Sequence, residues 1–150
     1  MNMNQPKRFN SNERGATMVE FAIALSVFLV SMFGVIEFGR ALWAHNALTD
    51  AARRGARYAT LHTAAEIGDV KNVVVYGDPA GGTQPLVPNL TPDNVTVNYS
   101  DLAVNKGTVS VGIDKYQFQF VIPLFGASIT MPAYSTTVTG ESVGVIPANK

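Results

Sequence analysis

The sequence predicts an α+β protein: one long amino-terminal helix, its first part membrane-spanning, followed by a small antiparallel β domain. Three observations carry that reading. Phe21 to Ile36 (FAIALSVFLVSMFGVI) holds sixteen residues without a charge. No proline stands between Pro6 and Pro79, so nothing forbids a continuous helix across the first third of the chain. Beyond about Asp69 the apolar period changes from helical to alternating, with Gly- and Pro-rich turn signals between the segments.

Composition agrees with a chain of two unlike parts. Of 150 residues, 11 are Lys or Arg and 11 are Asp or Glu. Residues 1–60 hold seven bases and four acids, a balance of +3; residues 61–150 hold four and seven, a balance of −3. A charged fraction of 15% is low for a soluble chain, where about 25% is usual, so part of the surface is expected not to face water. The zero net charge offers no general basic field for nucleic acid. Without cysteine there is no disulfide, thiolate metal site or thiol catalysis.

The apolar run is about 24 Å long at a helical rise of roughly 1.5 Å per residue, and it lengthens to 21 residues when taken back to Ala16, interrupted only by Glu20. It is apolar on every face, which suits lipid better than a soluble core. Glu37 and Arg40 follow at i,i+3, and Trp43 is placed as an interfacial anchor. The helix is expected from about Thr17 to about Glu66. In its second part Ala47, Ala51, Gly55 and Ala59 recur every four residues, a small-residue stripe that lets another backbone come close. That stripe is expected to meet other subunits or partner helices. Asp50 precedes Arg53 and Arg54 at ion-pairing distances along the helix, and Arg53, Arg54 and Arg57 suit either lipid head groups or a partner's acids.

Ahead of the run stands a polar, basic leader ending in Arg14-Gly15-Ala16-Thr17-Met18-Val19-Glu20-Phe21. A secretory signal would be cut after its apolar stretch, but Ala41-Leu42-Trp43-Ala44-His45-Asn46-Ala47 offers no clean A-x-A site. A prepilin-type leader is cut before that stretch, after a glycine, leaving glutamate at the fifth mature position. Cutting between Gly15 and Ala16 places Glu20 there. A carboxylate near a membrane is costly without a partner, and the new amine of Ala16, on this or a neighbouring subunit, would supply one. The competing reading is an uncleaved single-pass anchor.

Residues 14–59 resemble the amino-terminal domain of TadE-like proteins of the tight-adherence (Flp-type) pilus system. The resemblance rests on Gly15, Val19-Glu20-Phe21-Ala22, Ile36-Glu37-Phe38-Gly39-Arg40, Asn46-Ala47, Ala51-Ala52-Arg53 and Gly55-Ala56-Arg57-Tyr58-Ala59. Ala16 stands where type IV pilins usually have Phe, and Phe21 where the major Flp pilins have Tyr. The resemblance implies a pilin-like fold and a non-enzymatic minor pilin or pseudopilin in pilus assembly. It also implies a prepilin peptidase, other pilins and assembly proteins as partners. The organisation expected is a leader over 1–15, a membrane segment over 16–42, an amphipathic helix over 43–66 and an exported β domain over 67–150. Lys7, Arg8 and Arg14 before the span are matched by Arg40, Arg53 and Arg54 after it, so positive-inside counting is a tie. The leader and the strand-rich tail break it toward an inner-membrane protein with its C-terminal domain on the periplasmic side.

In that tail Val73-Val74-Val75-Tyr76 reads as a strand closed by the turn Gly77-Asp78-Pro79-Ala80-Gly81-Gly82. Val95–Tyr99 and Val109–Ile113 alternate cleanly around a connection at Asn105-Lys106-Gly107; Tyr116–Val121 and the stretch from Ile129 to Val145 supply the rest, with Pro132 at a bend. Val95, Val97, Tyr99, Val109, Val111 and Ile113 are expected on one face, covered by the end of the long helix. Phe118, Phe120, Val121, Ile122, Leu124 and Phe125 read as sheet core ahead of a binding patch.

Chemistry-bearing motifs are lacking. His45 and His62 fall about 100° apart around a helix, off a common face, and only His62 has a carboxylate four residues away, Glu66, so a helical metal pair is not expected. The 77–82 turn lacks the Gly-Lys-Ser/Thr of a phosphate loop, there is no Gly-x-Ser-x-Gly elbow, and Asp78, Asp93, Asp101 and Asp114 lack calcium-loop spacing. The expectation is no enzyme, no cofactor, no metal and no small-molecule substrate. An uncleaved membrane scaffold or envelope binding protein is the alternative, and a soluble enzyme released behind a secretory signal a third.

Overall fold

In a computed structural model of the chain, residues 11–100, 107–122 and 126–139 are described. The leader before residue 11, the connection at Asn105-Lys106, Leu124, Phe125, Asp101 and the stretch from 140 to Val145 lie outside them. The chain divides into two compact units, one up to Phe38 and one from Gly39 onward.

In the first unit the described residues form the amino-terminal part of helix α1, which runs from Ser11 to Ala59. Ser26 and Ser31 do not break its apolar character. Each hydroxyl donates to the carbonyl four residues earlier, Ala22 and Val27, at 2.8 Å, so its polarity is absorbed by the helix backbone.

The second unit is an α+β domain built on the rest of α1. The expected helix to Glu66 stops at Ala59: the backbone tightens there, with Leu61 N–H donating to Tyr58 O and His62 N–H to Ala59 O. A 3₁₀ turn over Ala64–Glu66 then begins on Thr63, whose extended backbone starts a new element. Glu66 closes a capping box by accepting from the Thr63 N–H at 3.0 Å and its hydroxyl at 3.2 Å.

The four residues Val73-Val74-Val75-Tyr76 are helix, not strand. They end α2, Ile67–Tyr76, and the correction has a physical reason. Val70, Val73 and Val74 share one helical face at i, i+3 and i+4 and are buried, as is Val75. Burial of that face outweighs the modest β preference of valine. Gly77 at φ +80° ends α2 in the left-handed conformation, its N–H returning to Val73 O. The expected turn is present: Asp78 Oδ1 accepts from Ala80 N–H at 2.8 Å, and the Asn72 amide donates to Pro79 O at 3.0 Å.

After a second 3₁₀ turn, Pro92–Asn94, come β1 (Val95–Ser100), β2 (Thr108–Ile113), β3 (Gln117–Gln119), β4 (Ser128–Thr130) and β5 (Tyr134–Thr139). All described pairings are antiparallel, but they make two sheets, β1-β2-β5 and β3-β4. Pro132 falls in the break between β4 and β5. The register pairs Val95 with Ile113, Val97 with Val111 and Tyr99 with Val109, so the expected apolar face is realised. β5 continues it through Tyr134, Thr136 and Val138. Val95, Val109, Val111 and Ile113 are buried, while Val97 and Tyr99 are half-buried at the margin. Phe118 is core and Phe120 packs against it edge-on, but Val121 is exposed and Ile122 half-buried, so the apolar run there is only partly core.

Candidate functional site: an exposed apolar helix and a covered small-residue stripe

Every face of α1 before Phe38 shows apolar side chains. Met18, Phe21, Val27, Phe28 and Val35 are each more than 60% exposed, in a helix whose most apolar window has no buried residue. Such a surface cannot be left in water; a contiguous apolar patch this large marks an interface with lipid or with other chains. Ala16, Glu20 and Phe21 lie exposed at its start. Among the described residues no cation lies within salt-bridge reach of Glu20. Among the described residues, a Cβ placed on Gly15 would meet nothing within 4 Å. Helix continues unbroken through the Gly15–Ala16 junction.

The four stripe residues have a different setting. Ala51 and Ala59 are at most 1% exposed, Gly55 is buried and Ala47 is half-buried. What covers them is the chain's own second unit. A Cβ on Gly55 would overlap the Val74 side chain of α2 and stand 3.3 Å from Val111 Cγ1 of β2. Ala44, Leu48, Ala52 and Ala56 join the same core with Val70, Val74, Val87, Leu90 and Ile113. The close approach for which small residues are suited is made within the chain, by α2 and the sheet. No surface for another subunit remains at Ala51, Gly55 and Ala59.

Polar contacts fix this domain on α1. His45 Nδ1 and the Tyr134 hydroxyl lie 3.0 Å apart, with their rings 5.2 Å apart. The Tyr116 hydroxyl donates to Pro88 O at 2.8 Å, and burial raises its pKa above the usual tyrosine value. The Arg40 guanidinium lies over the Phe118 ring, 5.2 Å from its centroid, a cation–π contact. His62 lies past the end of α1, stacked on Tyr58, with Nδ1 2.8 Å from Tyr58 O. Asp50 pairs with Arg53 at 3.6 Å. Glu37 is buried, at 4% exposure. Trp43, the expected interfacial anchor, is 55% exposed.

Sequence reasoning missed the Thr63–Glu66 capping box and the Tyr134–His45 contact. The first had a readable signal, Thr63-x-x-Glu66. The second joins residues 89 apart in the chain, and no local pattern marks it. Among the described residues, no group of three or more His, Asp or Glu side chains gathers as a metal site would require.

These features define a class: a chain with, among its described residues, one helix long and apolar enough to cross a membrane, continuing into the core of a small α+β domain. Residues 15–57 match the family model described as TadE-like protein. The matched stretch starts at the glycine of the leader motif and takes in both the exposed apolar part of α1 and most of its buried part. No curated protein and no solved structure matches the chain.

Proposed function

We propose that the chain is a membrane-anchored assembly protein of a tight-adherence (Flp-type) pilus, acting without catalysis as a minor pilin or pseudopilin. In this reading prepilin peptidase cuts after Gly15, Ala16 becomes the first residue, and α1 anchors the protein in the bacterial inner membrane. The α+β domain stands on the periplasmic side. The observation that carries the reading is the exposed apolar stretch of α1 that follows Gly15, in a segment matching the TadE-like model from that residue. Glu20 sits on it without a cation among the described residues, which suits a carboxylate whose partner is an amine at Ala16 of the same or a neighbouring subunit. Phe21 beside it adds apolar surface for a neighbouring helix.

Amino-terminal sequencing of the membrane-purified protein tests the cut. A start at Ala16 supports it; an intact Met1 in cells with active prepilin peptidase overturns it. Gly15→Ala sharpens the result, because a Cβ there meets nothing within 4 Å among the described residues. Loss of processing would then report on the peptidase, not on folding. Glu20→Ala is expected to abolish or strongly reduce pilus assembly, scored by filament yield, while the protein still reaches the membrane; unchanged yield removes the role given to that carboxylate.

One observation favours a second reading, an uncleaved single-pass scaffold. α1 is helical straight through the Gly15–Ala16 junction, and a peptidase must open that turn before cutting. The same sequencing experiment separates the two.

A further inference from the structure

The second unit carries a groove of about 530 Å³ lined by Asp50, Arg53, Arg54 and Arg57 of α1 and by Thr136 and Val138 of β5. Three guanidinium groups face one carboxylate, and that carboxylate is already paired with Arg53. Among the described residues Arg54 and Arg57 have no acidic partner. All three arginines are exposed. The opposite wall is an edge strand: in the order β1-β2-β5 one side of β5 is paired with β2 and the other has no strand beside it among the described residues. Thr136 and Val138 belong to its helix-facing side, since they stand opposite Val111 and Val109. A second hollow, about 370 Å³, continues along α1 past Trp43 and Leu86 and shares Asp50 and Arg54 with the first.

The geometry points to this groove as a docking site for an extended acidic segment of a partner protein, added as a further strand beside β5 on the side away from β2. An edge strand offers a row of backbone donors and acceptors, so an incoming strand would gain main-chain hydrogen bonds. Alternate side chains of that strand would fall on the helix-facing side, where the arginines stand. Carboxylates at every second position therefore match the site, and the guanidinium fork suits them. None of this chain's described strands is such a segment, since β1 to β5 carry no Asp or Glu. An anionic lipid head group would satisfy the arginines but would have no use for the strand edge. This inference goes beyond the pilus reading and does not depend on the leader being cut.

The test uses the full chain in phosphatidylcholine nanodiscs and a fluorescent synthetic peptide, Thr-Glu-Val-Glu-Val-Glu-Thr, followed by anisotropy. Saturable binding that weakens with salt is expected. The double variant Arg54→Glu/Arg57→Glu should weaken it by about tenfold or more, since it replaces two attractions with two repulsions. The same peptide with Lys for Glu should bind that variant and not the wild type; this charge-swap rescue shows that the variant is folded. Methylating alternate backbone nitrogens of the acidic peptide should abolish binding, because the strand hydrogen bonds are lost. No binding of the acidic peptide, or equal binding after N-methylation, would overturn the proposal. So would displacement of the peptide by phosphatidylglycerol vesicles that bind the wild type and not the double variant, which would make the groove a lipid site.

Discussion

The two parts of α1 make the instructive comparison. Most of each lies within the TadE-like match, yet the first is apolar and shows its side chains on all faces, whereas the second is amphipathic and its small-residue face is buried. Before Phe38 the residues are large: Phe21, Phe28, Leu25, Met32, Val35. After Gly39 the core-facing residues are mostly small, Ala44, Ala51, Ala52, Gly55, Ala56 and Ala59, with Leu48 the exception. Large residues all round suit a fluid medium, which fits any contour. Small residues in a stripe suit a rigid neighbour, which needs its backbone close. Side-chain size, rather than apolarity, distinguishes the half that needs an outside covering from the half this chain covers itself.

The sharpest way to break that comparison is a pair of identical substitutions. Leu48 has no exposure and Leu25 is 40% exposed. Leu48→Ala should cost the second unit about 2–5 kcal/mol, the usual range for a buried leucine. Leu25→Ala should leave the same transition within about 0.5 kcal/mol. Urea unfolding in detergent micelles, followed by Trp43 fluorescence, measures both. Equal losses would mean that the apolar part is packed as tightly as the stripe.

A second pair should change sign along α1 within the second unit. Gly55→Ala inserts a methyl where Val74 and Val111 already stand, and overpacking of that kind costs about 1–3 kcal/mol, offset in part by better helix propensity. Gly39→Ala meets nothing within 4 Å and should stabilise by about 0.5–1 kcal/mol. Thermal midpoints of the two variants against wild type read this directly; two stabilising changes would show that α2 yields at Gly55.

Tyr134→Phe should act next, at about 1 kcal/mol, by removing the hydroxyl that meets His45. A loss that persists when His45 is also changed to Ala would assign the effect to packing of the ring instead.

Why some of this was legible and some not depends on where each signal is written. The apolar run and the alternation of Val95–Tyr99 and Val109–Ile113 are periodic within a few residues, and the fold class and the β1–β2 face could be read from them. Val73–Tyr76 was not legible, because a short β-branched run is compatible with strand or buried helix, and only the valine face packed in the core decides it. The same limit applies to the stripe at Ala51, Gly55 and Ala59. Its spacing says that something comes close, but not whether that neighbour is another subunit or α2 and β2 of the same chain. Gly15 and Glu20 form a motif whose spacing is local, and its role rests on the sequencing and Glu20→Ala experiments. The groove at Arg54 and Arg57 was half visible: the arginines stand together in sequence, whereas the edge of β5 reaches them only through the fold.

The smallest expected effect concerns the turn that lets the second unit fold back on α1. Glu66 accepts from the Thr63 N–H and hydroxyl, and the backbone hydrogen bond is the main reason its pKa lies below the usual glutamate range. A carboxylate whose folded-state pKa is lowered stabilises the fold above its unfolded pKa, and loses that contribution as pH falls through the lowered value. Stability of the second unit should therefore decline on acidification through the carboxylate range. Glu66→Gln keeps an acceptor but cannot titrate, so its deficit relative to wild type should be present at neutral pH and vanish in acid. Urea midpoints at both pH values measure it. A deficit that stays constant would locate the contribution in the shape of the cap and not in its charge, leaving the stop of α1 at Ala59 to the tightened backbone of the turn alone.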